Sequence, residues 1–474
     1  MSEPSRGTIS RFESPPGGSY VLEPEIVMTP DGPQRGFAAA IEEGAFTAVD
    51  TASRVADSHP DLSSTSLPGV AMIPGFVDSH QHPTQTFGKA IIGGQPAQIW
   101  KRIWLPLGEE MSAEATYVAA KWASIEALRG GFTTMVASGE LDEEKGHAVE
   151  RAIDEVGIRC VLSRRFSDAV HYESPATATV TGGSARECLA AAEEVGRANT
   201  ASPRITNSLA CDSVQAASPE LLHGIAALCA EMGLVFQIHA NEHTPEVEGS
   251  MERHGLRPIE LLGSLDALGP QTLIAHATLV TPNEINLMAD CGAIVSYNPV
   301  ASAWKGNAVA PALEFASAGV RFGLGTDGTR SDGFRLMDAA ETAQRITTGI
   351  RVDDWWAGSG RLWLDAATIG GAAAAGLDDR IGAIAPGRRA DYLLLDTTAP
   401  ECLPSWDFVW ELVRYYDRTH LLAVYVDGEK LVERGQPVGW DLAAFIAEHA
   451  AMARDVVRRA DLILVGNRPD PRLG

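Results

Sequence analysis

The sequence predicts an α/β fold in which a (β/α)8 barrel carries a small β-sandwich domain built from both chain ends. The barrel is indicated by the stretch after Ala71, where short apolar runs alternate with longer helical segments, as in βα units around a parallel sheet. The sandwich is indicated by strand-like alternation at 20–49 and by hairpin patterns that return towards the C-terminus. We therefore expect the sandwich to comprise 1–70 and 380–474, and the barrel to comprise 71–379.

Eight apolar runs supply the predicted barrel strands. They lie at roughly 71–78, 132–137, 158–163, 204–209, 234–239, 272–276, 292–296 and 321–326. The segments between them have helical periodicity, and Ser218 and Thr281 have the character of N-caps because a proline follows each of them at the first helical position. The stretch 440–460 predicts a terminal helix.

The composition excludes several classes of partner. The chain has 38 Lys and Arg against 62 Asp and Glu, a formal net charge of −24. A field of that sign repels phosphate backbones and anionic membranes, and no apolar run reaches the ~18 residues of a membrane span, so we expect neither nucleic acid nor membrane as a partner. The N-terminus lacks the pattern of a signal peptide, and the six cysteines form no CxxC pair, which predicts reduced thiols and a cytoplasmic location.

Side chains that bind metals recur where the predicted strands end. His80 and His82 follow the first strand, and both can face one ion because side chains two apart on an extended chain share a face. His239 closes the fifth strand, His276 the sixth and Asp327 the eighth. In a (β/α)8 barrel the carboxyl ends of the strands meet at one mouth, where active sites form. Each residue alone is as readily a core histidine or a capping aspartate, but the five together predict a metal-dependent site.

Four motifs carry a family resemblance: PGFVDSHQH, HANEHTPEV, GLGTDG and IGAIAPGRRADYLLLD. With them the chain resembles, over about 20–435, the amidohydrolase superfamily, in particular its branch of triazine hydrolases and of guanine and adenosine-type deaminases. The resemblance implies a TIM barrel, a hydrolase that acts on a carbon–nitrogen bond of a small molecule, and a homo-oligomer. It implies metal ligation by His80, His82, His239 and Asp327, and catalysis by Glu242, His276 and Asp327.

The same resemblance assigns a task to each catalytic side chain. His276 would orient the attacking water and polarise the electrophilic centre, and Asp327 would take a proton from that water. Glu242 would protonate a ring nitrogen and then deliver a proton to the leaving amine. A carboxyl that shuttles protons in this way needs a pKa raised towards neutrality, which we expect a dry pocket to provide.

The number of metal ions follows from a departure from the superfamily. Its binuclear members bridge two ions with a carboxylated lysine at the end of the fourth strand. This chain has no lysine between Lys145 and Lys305, and its fourth strand reads RITNSLACDS. We therefore expect one divalent ion. Zinc is favoured, and Fe2+, Co2+ and Mn2+ stay open because imidazole-rich ligation suits several metals.

The segments that would shape the substrate pocket also depart from the family pattern. Cys211 and Asp212 stand where relatives often have a histidine, and Tyr297 replaces the imidazole of a His-x-Pro-x-x-Asn arrangement. An aromatic, weakly charged pocket suits a flat, neutral, nitrogen-rich molecule. The roles of His243, Cys211 and Lys305 stay open. The predicted substrate-binding residues are Gln85, Trp100, Asp212, Tyr297, Asn298, Trp304 and Arg330.

Three functions are compatible with these residues. The first is an aminohydrolase that deaminates a heterocycle. The second keeps the metal site but cleaves a urea, carbamate or thiocarbamate bond in an aryl or alkyl, herbicide-like substrate, as phenylurea and molinate hydrolases do. The third is a non-catalytic scaffold, against which the complete ligand set and Glu242 argue.

Overall fold

The computed structural model describes residues 18–93, 95, 99–140, 142–168 and 183–465. Within these ranges the chain forms two sheets. The strands are β1 (Tyr20–Thr29), β2 (Gly32–Arg35), β3 (Phe37–Glu42), β4 (Ala45–Thr51), β5 (Ser63–Pro74), β6 (Phe76–Gln81), β7 (Phe132–Ala137), β8 (Arg159–Arg165), β9 (Ile205–Ser213), β10 (Phe236–Ala240), β11 (Thr272–His276), β12 (Ile294–Tyr297), β13 (Arg321–Leu324), β14 (Tyr392–Asp396), β15 (Leu421–Val426), β16 (Glu429–Glu433) and β17 (Gln436–Pro437).

The strands β6–β13 form the predicted barrel. They lie side by side in chain order, and each pairs in parallel with the next. Gln81 forms a parallel bridge with Asp327, and the Asp327 N–H donates to the His80 carbonyl at 2.8 Å, so the segment after the last strand returns to the first. The expectation of a (β/α)8 barrel is confirmed.

Helices lie between most barrel strands and at the C-terminal end of the described chain. They begin where the caps predict: Ser218 Oγ accepts the Leu221 N–H at 3.2 Å, and Thr281 Oγ1 accepts the Glu284 N–H at 3.3 Å. The helices are α1 (Ala52–Ser58), α2 (Leu105–Glu110), α3 (Ala113–Arg129), α4 (Glu143–Val156), α5 (Ala185–Arg197), α6 (Pro219–Met232), α7 (Thr244–His254), α8 (Pro258–Ser264), α9 (Pro282–Cys291), α10 (Pro299–Lys305), α11 (Ala312–Ala318), α12 (Gly333–Gln344), α13 (Ile350–Val352), α14 (Arg361–Asp365), α15 (Gly371–Ala374), α16 (Phe408–Arg414) and α17 (Leu442–Arg459).

The described chain also contains short 3-10 and π-helical segments. The 3-10 turns are Pro83–Phe87 and Pro400–Cys402, and the π-helical segments are Trp100–Trp104, Arg345–Gly349 and Ala366–Gly370. No helix in the described part of the chain combines the length and the apolar character needed to cross a membrane.

The two chain ends build one β unit, as expected. Hydrogen bonds connect their strands into a single sheet in the order β17-β16-β15-β14-β5-β1-β3-β4, with β2 paired to β1. Ala45 at the start of β4 also bridges Arg389, which shortly precedes β14, so the sheet curls back on itself. The enclosed core includes Phe46 and Tyr392.

The predicted first barrel strand, 71–78, is wrong in its bounds. The apolar run belongs to two sheets, because β5 ends at Pro74 in the terminal sheet and β6 begins the barrel at Phe76. Gly75 makes the change of sheet: its N–H donates to the Asp391 carbonyl, and a Cβ there would lie 2.2 Å from Thr133 Oγ1. Hydrophobic periodicity cannot locate such a change, since both halves of the run are buried.

The amino ends of the barrel strands are filled by apolar side chains. Val77, Leu273 and Ile294 pack there against the alanine-rich helix α15 and the residues that follow it. This packing closes one end of the barrel interior. The polar side chains are therefore left at the carboxyl ends of the strands, where the site lies.

Candidate active site

Four imidazoles meet at the carboxyl ends of three barrel strands. His80 lies on β6 and His82 directly after it, His239 lies on β10, and His276 ends β11. The His80 ring centroid is 4.8 Å from those of His82 and His239 and 5.7 Å from that of His276. Asp327, three residues beyond β13, completes the cluster. The structure thus brings together all five side chains that the strand-end pattern predicts.

The donor atoms of this cluster lie close enough to share one ion. His82 Nε2 is 3.4 Å from His239 Nε2 and 3.6 Å from Asp327 Oδ1. One ligand atom each from His80, His82 and Asp327 fall within 4.8 Å of one another, as do those of His80, His239 and His276. His80 Nε2 is buried and has no hydrogen-bond partner among the described residues, a costly arrangement unless the atom binds something. Imidazole and carboxylate donors in this arrangement fit a divalent transition-metal ion.

Three histidines of the cluster, His80, His82 and His276, are held neutral by burial, as metal ligation requires of a ligand. Burial lowers the pKa of His80 well below its usual range, lowers that of His82 to about 3 and lowers that of His276 to about 4. A neutral imidazole offers a lone pair, whereas a protonated one does not. Burial would raise the pKa of Asp327, but the Lys305 ammonium outweighs burial and holds this pKa well below its usual range.

The second nitrogen of two of these rings is fixed by a neighbour. His239 Nδ1 donates to the Asp212 backbone carbonyl at 2.7 Å, which leaves the lone pair on the Nε2 that faces the cluster. His276 Nδ1 lies 3.1 Å from the amide nitrogen of Asn298, whose oxygen accepts a hydrogen bond from Ser296 Oγ at 2.8 Å. An amide N–H donated to Nδ1 places the His276 proton on Nε2. The two imidazoles therefore direct different groups towards the cluster. His239 directs a nitrogen lone pair there, and His276 directs an N–H.

Glu242 forms a second group of contacts beside the imidazoles. Its Oε1 lies 3.6 Å from His276 Nε2 and accepts hydrogen bonds from Asn307 Nδ2 at 3.0 Å and from Lys305 Nζ at 3.3 Å. Lys305 Nζ also donates to Asp327 Oδ2. The expected rise in the pKa of Glu242 is wrong: burial does raise it, but His276 and Lys305 outweigh burial and hold the pKa well below its usual range.

The backbone around Glu242 is held on both sides. Its N–H donates to Glu246 Oε2 at 2.8 Å, and its carbonyl accepts the Thr278 hydroxyl at 2.6 Å. These contacts come from α7 and from the loop after β11. The direction of the Glu242 side chain is thereby set before substrate binds.

Lys305 and Asn307 are the residues that sequence reasoning did not place. Lys305 is one of only six lysines, and it is buried in the site at the end of α10. Because α10 has seven residues and begins directly after Asn298, its last turn stays close to the barrel mouth. The scarcity of lysine was the available signal for Lys305. Asn307 left no signal in the sequence.

The predicted substrate-binding residues Gln85, Trp100 and Asn298 lie at the mouth. Trp100 Nε1 donates to His243 Nε2 at 3.2 Å. His243 directly follows Glu242 in the chain. Gln85 lies against the residue after Asp327, since a Cβ on Gly328 would come 2.0 Å from Gln85 Oε1. Asn298 donates from its amide nitrogen to His276 Nδ1.

The other predicted substrate-binding residues have different surroundings. The Tyr297 hydroxyl lies 3.1 Å from Gln344 Nε2 and donates to the Ala340 carbonyl, because side chains alternate along β12 and this one faces α12. The Asp212 carboxylate accepts two hydrogen bonds from Arg165, at 2.8 and 2.9 Å. Trp304 is exposed, and Arg330 lies 4.0 Å from Asp332. Cys211 is buried, which raises the pKa of its thiol.

Known proteins resemble this chain over most of its length. Residues 71–417 match the Amidohydrolase family. A 5-methylthioadenosine/S-adenosylhomocysteine deaminase of Natronomonas pharaonis is 30% identical over 94% of this chain and 98% of its own. A 5'-deoxyadenosine deaminase of Methanothermobacter thermautotrophicus is 31% identical over 79% of this chain and 85% of its own.

A solved structure shows the same fold. The crystal structure of an adenosine deaminase from Xanthomonas campestris with bound zinc superimposes with a TM-score of 0.82, at 24% identity, over 93% of this chain and 99% of that one. The expected family is confirmed: with its barrel, its strand-end imidazoles and these relatives, the chain belongs to the amidohydrolase family.

Proposed function

We propose that this protein is a mononuclear metal-dependent aminohydrolase that releases ammonia from the purine ring of a 5'-modified adenosine. The observation that carries the proposal is the placement of Glu242 and His276, 3.6 Å apart, against a cluster with donors for one ion. The names of the relatives support the substrate class, since 5-methylthioadenosine, S-adenosylhomocysteine and 5'-deoxyadenosine are the molecules that they are named for.

The residues proposed to hold the ion are His80, His82, His239 and Asp327. The chemistry that a divalent ion supplies when bound is acidification of a water molecule, whose pKa falls from ~16 to near ~7. We propose zinc, which the Xanthomonas structure contains, with other divalent ions as the alternatives. The two carboxylate oxygens of Asp327 have different neighbours: Oδ1 lies near His82, and Oδ2 lies near Lys305.

The proposed role of His276 follows from its tautomer. Asn298 donates to Nδ1, so the Nε2 N–H is directed towards Glu242 Oε1 and towards Asp327 Oδ2, at 3.6 and 3.7 Å. We assign to this N–H the orientation of the attacking water and of the ring carbon. His276 is then a hydrogen-bond donor in the reaction rather than a metal ligand.

The proposed role of Glu242 is proton transfer. Lys305 and Asn307 donate to Oε1 and keep the group a carboxylate at neutral pH. Glu242 therefore begins as a proton acceptor, takes a proton from the attacking water and passes it to a ring nitrogen. The new C–O bond forms at the ring carbon as the ring nitrogen gains this proton. The remaining proton of the former water then passes from the new hydroxyl through Asp327 to the amino group, the C–N bond breaks, and ammonia leaves.

A second candidate function is hydrolysis of a urea, carbamate or thiocarbamate. The observation that favours it is the Lys305 ammonium, buried beside the catalytic carboxylates. A fixed cation at this place would stabilise the negative charge that develops on a carbonyl oxygen during hydrolysis. Ring deamination places its developing charge on nitrogen and needs such a group less.

A panel of substrates distinguishes the two candidates. Purified, zinc-loaded protein is incubated with 5'-methylthioadenosine, S-adenosylhomocysteine, 5'-deoxyadenosine, a phenylurea and a thiocarbamate, and ammonia and released amines are measured separately. The proposal predicts ammonia from the adenosines. Release of aniline or alkylamine without ammonia would transfer the assignment to the second candidate.

Two further properties, a cellular location and an oligomeric state, are proposed for this protein. A cytoplasmic location is supported by the six cysteines, none of which forms a disulfide bond in the described structure. A homo-oligomer is supported by family resemblance.

A further inference from the structure

The chain that follows α17 is hydrogen-bonded to the segment after the first barrel strand. The Ile463 N–H donates to the Arg102 carbonyl at 3.0 Å, and the Ile463 carbonyl accepts a hydrogen bond from Arg102 Nη1 at 2.9 Å. The Gln95 side chain pairs with the Val465 backbone: its Oε1 accepts the N–H at 3.0 Å, and its Nε2 donates to the carbonyl at 3.3 Å. Residues 461–465, called the terminal segment, are therefore tied at two places to the chain near the barrel mouth.

Buried groups make this contact specific. Gln95 is 5% exposed, and a buried amide needs partners for both its oxygen and its nitrogen. Leu462 of the terminal segment is also buried, and it belongs to one apolar cluster with Ile99 and Ile103. Arg102 Nη1 joins the two sets of polar contacts, because it also donates to Gln95 Oε1 at 3.1 Å. The terminal segment is thus held by apolar packing as well as by hydrogen bonds.

The other side of the same π-helical turn faces the site. Trp100 and Arg102 both lie in the segment Trp100–Trp104, and side chains two apart on a helix point in different directions. Arg102 is directed to the terminal segment, whereas the Trp100 indole donates to His243 Nε2 at 3.2 Å. His243 directly follows Glu242 in the chain. The π-helical turn therefore lies between the terminal segment and the loop that carries the proposed catalytic carboxylate.

The indole meets a partner that is itself held in place. His243 Nδ1 lies 3.7 Å from Glu246 Oε2, and the same carboxylate oxygen accepts the Glu242 N–H at 2.8 Å. The orientation of the Trp100 indole thus depends on His243 at its nitrogen and on the π-helical turn at its backbone. An indole held at both ends offers a flat apolar wall next to the site, and such a wall suits a purine ring.

We propose that the terminal segment positions the Trp100 indole as a wall of the substrate pocket. In the complex the indole contacts the purine ring. Gln95, Arg102 and Ile463 are positioning residues, which act through the indole. The proposal rests on the proposed function for the identity of the ring, whereas the link between the terminal segment and the π-helical turn rests on the contacts described above.

The first test is the KM of Ile463→Pro for 5'-methylthioadenosine, measured with zinc-loaded protein. Proline has no N–H to donate to the Arg102 carbonyl, and the Ile463 side chain is 56% exposed, so its loss leaves the apolar cluster intact. The indole binds the ring equally before and during the reaction, so KM should rise about tenfold while kcat and the metal content are retained. Ile463→Ala keeps the N–H and should keep the wild-type KM. A wild-type KM in Ile463→Pro, or a loss of kcat alone, would overturn the proposal.

A double variant shows whether the effect passes through the indole. Trp100→Ala alone should raise KM at least as much as Ile463→Pro does. Because the terminal segment acts by positioning Trp100, adding Ile463→Pro to Trp100→Ala should raise KM no further. Gln95→Met keeps the length of the side chain but cannot pair with Val465, so it should raise KM as well and serves as the second probe if the proline variant folds poorly. Increases in KM that multiply in the double variant would contradict the proposal.

Trypsin provides a measurement that needs no substrate. Lys101 and Arg102 are its cleavage sites in the π-helical turn, and cleavage of a folded protein follows how often the backbone opens there. Ile463→Pro should be cut at these sites about tenfold faster than the wild-type protein and Ile463→Ala. If no adenosine is deaminated, the proposed function fails, while the cleavage rates still test whether the terminal segment holds the turn. Equal rates in the three proteins would overturn the inference.

Discussion

The chemistry of this site depends on which atom each side chain directs towards the cluster. His239 gives its Nδ1 proton to the Asp212 carbonyl and presents a lone pair, whereas His276 receives an N–H at Nδ1 and presents a proton. Two imidazoles of one type thus serve two purposes because their second nitrogens have different partners. The proposed division between metal ligand and hydrogen-bond donor makes testable statements about single residues.

Replacing His239 should remove the metal. In His239→Ala the cluster loses the donor that lies 3.4 Å from His82 Nε2, so both metal content and turnover should be abolished. Metal is measured by elemental analysis after dialysis. His223→Ala, a histidine on α6 that donates to the Leu265 carbonyl, serves as the control and should keep both. Full metal occupancy in His239→Ala would remove His239 from the ligand set.

Replacing Glu242 should separate metal binding from turnover. Glu242→Gln preserves the shape of the side chain but cannot accept a proton, so the metal content should stay while kcat falls on the order of 10²-fold or more. Both quantities are measured on the same preparation, with 5'-methylthioadenosine as substrate. Near-normal rates would favour the urea or carbamate reaction, in which the demand for protonation differs.

Replacing Lys305 tests the role of its buried ammonium, whose position in the site was not predictable from the sequence. Lys305→Met keeps the length of the stem but removes the ammonium that contacts Glu242 and Asp327, so kcat should fall on the order of 10²-fold, as for the loss of one fixed donor. Metal content should be retained, and Lys145→Met on the surface helix α4 should leave kcat unchanged. An unchanged kcat in Lys305→Met would show that the ammonium takes no part.

Among the elements, the contact between β6 and the segment after β13 both closes the barrel and positions the site. The buried Asp78 carboxylate accepts the Thr326 N–H at 2.9 Å and the Thr326 hydroxyl at 2.5 Å, and the Asp327 N–H donates to the His80 carbonyl. The proposed metal ligands of the first and last strands are therefore positioned by the same contacts that close the barrel.

Removing the Asp78 carboxylate should weaken both the fold and the site. Asp78→Ala leaves two buried donors of Thr326 unpaired, and since each unpaired donor costs ~1–3 kcal/mol, the free energy of unfolding should fall by about 3 kcal/mol. Urea unfolding of metal-free protein measures this change, and zinc affinity should fall as well. Asp57→Ala on the exposed side of α1 is the control. A loss for Asp78→Ala within ~0.5 kcal/mol, as at ordinary surface sites, would contradict this account.

The elements also show what the sequence can and cannot predict. The strand ends were predictable because buried parallel strands are apolar runs that stop where the polar residues of the cluster begin, as at His276. The change of sheet at Gly75 was not, because the run on both sides of it is apolar. Tyr297 was assigned to the pocket by its neighbours in the chain, whereas strand alternation turns it to α12. Lys305 and Asn307 reach Glu242 only through tertiary structure.

At the scale of the whole molecule, one buried arginine links the two sheets. Arg159, at the amino end of β8, donates from Nε to Asp391 at 2.8 Å and from Nη2 to Asp427 at 2.5 Å. Both aspartates lie beside strands of the terminal sheet, next to β14 and β15. The barrel and the terminal sheet are thereby held together by ion pairs, in which the aspartates neutralise the charge of Arg159.

Breaking this link should destabilise the whole chain. Arg159→Ala leaves the buried Asp391 carboxylate without its counter-charge, and the loss of one partner of such a pair costs ~3–5 kcal/mol. Calorimetry should show a lower Tm for the entire molecule, while Arg35→Ala, which breaks the exposed pair with Glu25, should change little. A wild-type Tm in Arg159→Ala would contradict this account, because it would show that the Arg159 link does not contribute to the stability of the chain.

The most direct test of the central claim is a metal titration of turnover. Protein stripped of metal is titrated with zinc, and ammonia release from 5'-methylthioadenosine is followed at each addition. The account predicts no ammonia without metal and a rise that ends at about one equivalent per chain, because the imidazole–carboxylate cluster has donors for one ion. A rise that continues to two equivalents, or ammonia release that needs no metal, would contradict a mononuclear metal-dependent aminohydrolase.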